Sequence, residues 1–351
     1  MRNYAEELDF LKSCQIETLE LSDETPAGAR VCIVPQWQGW VMTSTARGER
    51  GAGFGWINRP LIASKSTLPH FNPVGGEERF WLGPEGGPYS FYFAPGAAQN
   101  YENWRVPAAL DTLPFEVVEA SKRKVRLMQE VELGNASGHR FRIGIDRSIK
   151  LLRPTESEFL RKIPAAGKLD TVIYRSVNRI TNLGEQVWTP QSGAPSIWML
   201  GMFPPTTSTT VFIPYANPGS GEIVRSDYFG AMPANRLRVS PGLVCIASTE
   251  PSAPKSASRR AATPAAAAAT IPRPAASPSS ATPARPRATA TWTAAGAIRM
   301  TRSAAMSSTP TTTVPRRPAR SWVPSTNSRP RRRPPSCSPE HRRLTSRRST
   351  T

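Results

Sequence analysis

The sequence predicts an all-β protein, a sandwich or barrel of antiparallel strands, followed by a basic tail with no fold of its own. Three observations predict it. Short β-branched and aromatic runs recur from Ala29 onward, separated by proline, glycine and polar clusters. Several runs alternate apolar and polar residues with a period of two, as strands with one wet face do. Near Cys245 the composition changes to alanine, arginine, proline, serine and threonine.

The elements follow in order. YAEELDFLKSC reads as one short helix, with Leu8, Phe10 and Leu11 on a small apolar face. ARVCIVP and GWVMTSTA are strands by their β-branched and aromatic content. FEVVEASKRKVRLMQEVEL reads as a hairpin, with Val125 and Leu127 alternating with polar residues. HRFRIGIDRSIKLL is the clearest strand: Phe141, Ile143 and Ile145 point one way, and Arg140, Arg142 and Asp146 the other. TVIYRSVNRITNLG, PSIWMLGMF and TTVFIPYA complete the series. No long helical period appears, so strands at short spacing argue a sandwich or barrel.

Charge divides the chain. Residues 251–351 carry Lys255 and 18 arginines against Glu340 alone, which accounts for +18 of the total +19. The boundary falls between a sandwich at 1–246 and a tail at 247–351. A proline-rich, charged tail with nothing to bury is expected to be disordered. Its arginine clusters, Arg331–Arg333 and Arg342–Arg343, would hold polyanions through phosphate contacts. That non-specific attraction is no evidence of a nucleic-acid partner.

Cys14, Cys32, Cys245 and Cys337 form no CxxC pair and no close spacing with His70, His139 or His341. Neither a zinc site nor a disulfide framework is indicated, and no cofactor is expected. No run of about 18 apolar residues exists to span a membrane. The start, MRNYAEELDFLKSC, is acidic and lacks an apolar signal core, so the chain as it stands reads as cytoplasmic. Oligomeric state is not legible.

The densest motif is PHFNPVGGEERFWLGPEGGPYSFYF, Pro69 to Phe93. Its glycines permit tight turns. Between them lie Glu77, Arg79, Trp81 and Glu85, preceded by His70 and Asn72. Carboxylates and an arginine bond hydroxyls, and a tryptophan stacks on the apolar face of a sugar ring. These residues are therefore the expected ligand contacts, with His70 as an outlying one. The same residues also suit a core strand, Phe80-Trp81-Leu82, with Arg79 and Glu85 as an ion pair near a sheet end. Spacing alone favours this second reading. No nucleophile elbow, phosphate loop or metal signature is present.

GFGWINRPLI, HFNPVGGEERFWLGPEGG, DTLPFEVVEAS, NRITNLGEQVWTPQSGAPSIWMLGMF and SDYFGAMPANRLRV, in this order, resemble a bacterial family of unknown function with a galactose mutarotase-like β-supersandwich. The resemblance runs from about Tyr4 to Val244. It implies a concave sheet whose open face binds a sugar or related polyol. In true mutarotases a glutamate late in the chain takes the anomeric proton and a histidine protonates the ring oxygen. No residue here matches either position, so the implied activity is aldose-epimerase-like with its catalytic residues unassigned. A non-catalytic sugar-binding sandwich is the alternative, and a nucleic-acid-binding protein acting through the basic tail is a weaker one.

Relatives in that family continue past this point with motifs like KIGLSP, GGDVVNSYNDG and GPFYELE-SSPAAL. Codons rebuilt from the third base of each codon and the first two of the next, with third bases free to vary, are compatible with them. Lys255–Ser258 reads KIGL, Met306–Val314 reads DVVNSYNDG, and Trp322–Ser328 reads GPFYEL. The tail therefore reads as a folded ending translated one base out of frame, with the slip near Cys245–Glu250. Sequencing the DNA between the codons for Leu243 and Lys255, with mass spectrometry of the tail peptides, is expected to reveal the slip. An unbroken frame with arginine-rich peptides made intact would overturn this reading.

Overall fold

The computed structural model describes residues 2–25, 27–157, 169–206, 209–215, 224 and 232–247, together with the backbones of 265–268 and 289–295. Helix α1 (Tyr4–Ser13) is set by a capping box. The Glu6 N–H donates to Asn3 Oδ1 at 2.8 Å, and the Asn3 N–H donates to the Glu6 carboxylate at 3.2 Å. Leu8 and Leu11 are buried as expected, while Phe10 lies half-buried beneath the Arg59 guanidinium. A second helix, α2 (Arg59–Ser64), is capped by Asn58 and is too short to leave a helical period in the sequence.

The strands are β1 (Leu19–Ser22), β2 (Arg30–Val34), β3 (Trp40–Thr45), β4 (Arg79–Gly83), β5 (Glu116–Ser121), β6 (Lys124–Gly134), β7 (Arg140–Leu151), β8 (Tyr174–Asn182), β9 (Ser196–Phe203), β10 (Thr210–Pro214), β11 (Leu237–Ser240), β12 (Leu243–Ala247), β13 (Ala265–Ala268) and β14 (Thr289–Ala295). Among the described residues they form four antiparallel sheets, ordered β1-β2-β3, β10-β12-β11, β13-β9-β4 and β14-β8-β7-β6-β5. The all-β class is as the sequence predicts, and each strand-like run discussed above forms a strand. The Phe80-Trp81-Leu82 run is β4, buried along its whole length. The tail expected to be disordered lies outside the described residues, apart from the backbones of β13 and β14. These two pair with β9 and β8.

The five-stranded sheet shows how alternation positions the core. On β7, Phe141, Ile143, Ile145, Ile149 and Leu151 are buried, and on β6 Val125, Leu127, Val131 and Leu133 share that face. The outer face carries charge. The Arg126 guanidinium donates to both Asp146 oxygens at 3.0 and 2.8 Å, and Arg142 pairs with Glu130 at 2.8 Å. Such exposed pairs contribute about 0–1 kcal/mol each and chiefly keep this face wet.

One charge breaks the inner pattern. Arg147 sits on the apolar face of β7 and is wholly buried. It donates to the Gly39 carbonyl at 3.0 Å, to Asn178 Oδ1 at 2.6 Å and to Glu78 Oε1 at 2.6 Å. The Ser176 hydroxyl donates to the second Glu78 oxygen at 2.9 Å. The network thus ties the loop before β3 and the residue before β4 to β7 and β8. Removing one partner leaves a buried charge uncompensated, at about 3–5 kcal/mol. Glu78→Ala should therefore lose about that much in urea-unfolding free energy, and Glu78→Leu combined with Arg147→Met should regain most of it. A loss below about 1 kcal/mol for Glu78→Ala would show that the network does not hold the sheets together.

Candidate functional site

The backbone reaches β4 through a close approach. Gly75 has φ +108°, and a Cβ there would lie 2.1 Å from the Trp56 carbonyl oxygen. Only glycine fits that position, and it brings the chain into β4 in a fixed register. Val41 and Glu78 then exchange backbone hydrogen bonds at 3.0 and 3.2 Å, joining β4 to the three-stranded meander. Strand alternation sends the side chains of Glu78 and Arg79 to opposite sides. Glu78 enters the Arg147 network, and Arg79 enters a box of aromatic rings.

The Arg79 guanidinium is wholly buried. Its Cζ lies 3.9 Å from the Trp40 ring centroid, 4.9 Å from Trp81 and 5.1 Å from Phe71. The rings attract the cation through their faces. None of its three nitrogens makes a hydrogen bond, and it has no ion-pair partner among the described residues. Burial lowers its pKa to about 9, opposed first by Asp111 and then by Tyr92, so the group stays charged at neutral pH. The ion pair with Glu85 that the core-strand reading required does not form.

Trp81 is 3% exposed and enclosed by Phe71, Tyr92 and Trp198, with ring centroids 5.5, 5.9 and 5.1 Å away. Its ring faces are covered, so it is not an open stacking platform in this structure. Glu85 is half-buried, and burial raises its carboxyl pKa to about 7. The Trp104 indole faces it and opposes the rise, although neither Glu85 Oε2 nor Trp104 Nε1 makes a well-formed hydrogen bond. Trp104 stacks on Tyr92 at 5.8 Å and meets Phe71 edge-on at 5.9 Å. Arg79, Trp81 and Glu85 are thus joined by one set of rings.

The other expected contacts are arranged differently. Asn72 donates to Asp111 from its backbone at 3.1 and 3.2 Å and from Nδ2 at 2.6 Å, and accepts the Leu68 N–H at 2.8 Å. It therefore positions Asp111, the acid whose field reaches Arg79. His70 stacks on Tyr101 at 4.4 Å, with Nδ1 2.7 Å from the Trp104 carbonyl and 2.5 Å from Arg105 Nη1. It supports the rings from behind Trp104. Glu77 is 4% exposed and faces the Ser44 and Tyr174 hydroxyls. Burial raises its pKa to about 7 against those hydroxyls, and neither of its oxygens makes a hydrogen bond of good geometry.

Sequence reasoning missed Trp40, Tyr92, Trp104 and Asp111. Trp40 comes from β3, and Trp104 and Asp111 from loops beyond the motif, so no local spacing could reveal them; Tyr92 lies near the end of the motif itself, in its aromatic run. Phe71 lay inside the motif, where its neighbours His70 and Asn72 drew attention as polar groups.

Two clefts, neither lined by Arg79, Trp81 or Glu85, lie on the five-stranded sheet. One, of about 430 Å³, lies between the start of β7 and the β8–β9 loop, with Trp188 in its wall. The other, of about 380 Å³, is a charged hollow on the outer face around Asp146. No helix among the described residues is long and apolar enough to cross a membrane.

The family described as a family of unknown function (DUF6786) matches residues 2–252. No curated protein matches. Among solved structures, one of a protein from Escherichia coli K12 assigned as an aldose 1-epimerase is similar, with a TM-score of 0.31 and 13% identity. The match covers 57% of this chain and 56% of that one.

Glu77 supplies a pH test. Its pKa is about 7 in the fold against 4.5 for the free group, so the folded state holds a proton that the unfolded state releases. The resulting stability is full below pH 4.5 and is lost as pH rises through 7. Glu77→Gln should match the parent near pH 4 and exceed it by about 3 kcal/mol near pH 8. Urea unfolding at pH 4, 6 and 8 measures this, and a difference that does not grow with pH would refute it.

Proposed function

Because the chain belongs to DUF6786, a family of unknown function, membership supplies no activity, and we propose from the site itself that the protein binds a sugar or polyol through the Arg79–Trp81 cluster. The observation that carries this is the buried Arg79, with three hydrogen-bonding nitrogens unmatched inside an aromatic box. Buried polar groups are nearly always bonded, and those left over in one place point to a ligand. The Arg79 nitrogens and the half-buried Glu85 carboxyl, which holds its proton near neutral pH, are the groups that donate to or accept from hydroxyls. The motif resemblance to mutarotase-like proteins points to the same ligand class.

The accompanying chemistry is aldose-epimerase-like: a base takes the anomeric proton and an acid serves the ring oxygen. Glu85, raised to about 7 beside the Trp104 indole, is the acid of the ring cluster suited to such work, whereas Glu77 faces Ser44 and Tyr174 instead. The glutamate that the resemblance makes the base belongs to the segment read out of frame. The family match ends at residue 252, close to the composition break, which supports the shifted-frame reading of the tail. On this reading the chain as given binds without turnover, and a frame-restored chain anomerises an aldose. The covered faces of Trp81 favour the non-catalytic behaviour of the chain as given.

Calorimetric titration across a sugar panel tests the proposal, with polarimetry for anomerisation. Arg79→Ala should weaken the best-bound sugar at least about tenfold, the value of one charged hydrogen bond, while far-UV circular dichroism stays unchanged. Loss of the fold instead would make Arg79 a structural residue. Absence of binding to any sugar by both chains would end the proposal.

A further inference from the structure

This inference rests on the sugar-binding reading and narrows it: we propose that the ligand carries a carboxylate held by the Arg79 guanidinium, which makes the ligand class an acidic sugar rather than a neutral aldose. A guanidinium has five N–H donors in its plane. The three rings around Arg79 meet the cation through their π-faces and accept none of those donors in a hydrogen bond. The nearby acid, Asp111, is bonded three times by Asn72 and not by Arg79. The Tyr92 hydroxyl donates to the Leu82 carbonyl at 2.7 Å. Among the described residues, the two polar groups whose charge reaches the guanidinium, Asp111 and Tyr92, thus make their hydrogen bonds elsewhere.

The chemistry of the missing partner follows. A sugar hydroxyl accepts one or two bonds and leaves the charge uncompensated. A carboxylate accepts two parallel N–H bonds and cancels the charge, the arrangement for which a planar guanidinium is shaped. A phosphate dianion would bring a second negative charge beside Asp111, which already lies within the field of Arg79. One buried cation matches one monoanion. Of the three rings, Phe71 is the least covered. Trp40 and Trp81 are buried, whereas Phe71 is half-buried and lies in the irregular segment before Gly75. Phe71 is therefore the side of the box nearest solvent.

The test uses the full chain at pH 7 with D-galactose, D-galacturonate and D-galactose 6-phosphate as probes, followed by calorimetry. Galacturonate should bind at least about tenfold tighter than galactose and tighter than the phosphate. In Arg79→Met that preference should fall to about one. Arg79→Met should also raise Tm by about 2–4 °C, because an uncompensated buried cation is replaced by a side chain suited to an aromatic box. Should Arg79→Met not fold, Arg79→Lys keeps the charge without the fork and should lose most of the acid preference. Equal binding of galactose and galacturonate overturns the carboxylate while leaving the sugar reading standing. Preference for the phosphate overturns it in favour of a dianion site. Binding of none of the three overturns both. A lower Tm for Arg79→Met with galacturonate affinity unchanged assigns Arg79 to the scaffold and overturns it as well.

Discussion

The fold depends on a buried ion pair. Glu78 and Arg147 meet at 2.6 Å where the three-stranded meander, β4 and the five-stranded sheet come together. Hydrophobic packing alone would let these sheets slide, because apolar contact carries little directional information. The bonds from Arg147 to Gly39, Asn178 and Glu78, with Ser176 behind them, allow one register. Desolvating both charges is costly, so the pair contributes geometry more than net stability. That geometry fixes where β4 starts and which of its side chains face the aromatic box.

Adjacent residues then meet opposite fates. Glu78 has a full set of partners, and Arg79 has none beyond ring faces. Both are buried, so burial does not separate scaffold from site; hydrogen-bond satisfaction does. Glu77 and Glu85 also lack well-formed bonds at named oxygens, and both carboxyls are pushed up to about 7 by desolvation. A chain that needed only a stable core could place leucine or phenylalanine here. One unmatched cation and one reluctant acid, Glu85, around a set of rings is the observation on which the binding proposal rests.

Much of the fold was legible because period-two alternation is a strong signal. β7 shows it best, and β2, β3, β5, β6 and β8–β10 were readable from β-branched runs between turn residues. β1, β11 and β12, of four or five residues, were not read as strands, although the equally short β2 and β10 were. α2 was hidden because it is too short to leave a helical period. The site was half legible. The glycine-flanked motif gave Arg79, Trp81 and Glu85 their company, yet their burial and the roles of Asn72 and His70 depended on Asp111, Trp104 and Tyr101 from other loops. One signal was present and unused. Alternation along Phe141, Ile143 and Ile145 places Arg147 on the apolar face, and a lone arginine there requires a buried acid.

The tail and the unmatched cation have a common logic. Backbone hydrogen bonding is indifferent to side chains, so almost any sequence without proline can satisfy an open strand edge. β13 is four alanines and β14 is threonine and alanine around one tryptophan, and both pair along their neighbours without interruption. What an edge cannot obtain from an arbitrary sequence is the specific acid, ring or hydroxyl that a site requires. A segment translated out of frame would therefore preserve pairing at β8 and β9 while losing chemistry, which leaves recognition residues upstream with their positions intact and their partners to be supplied by a ligand.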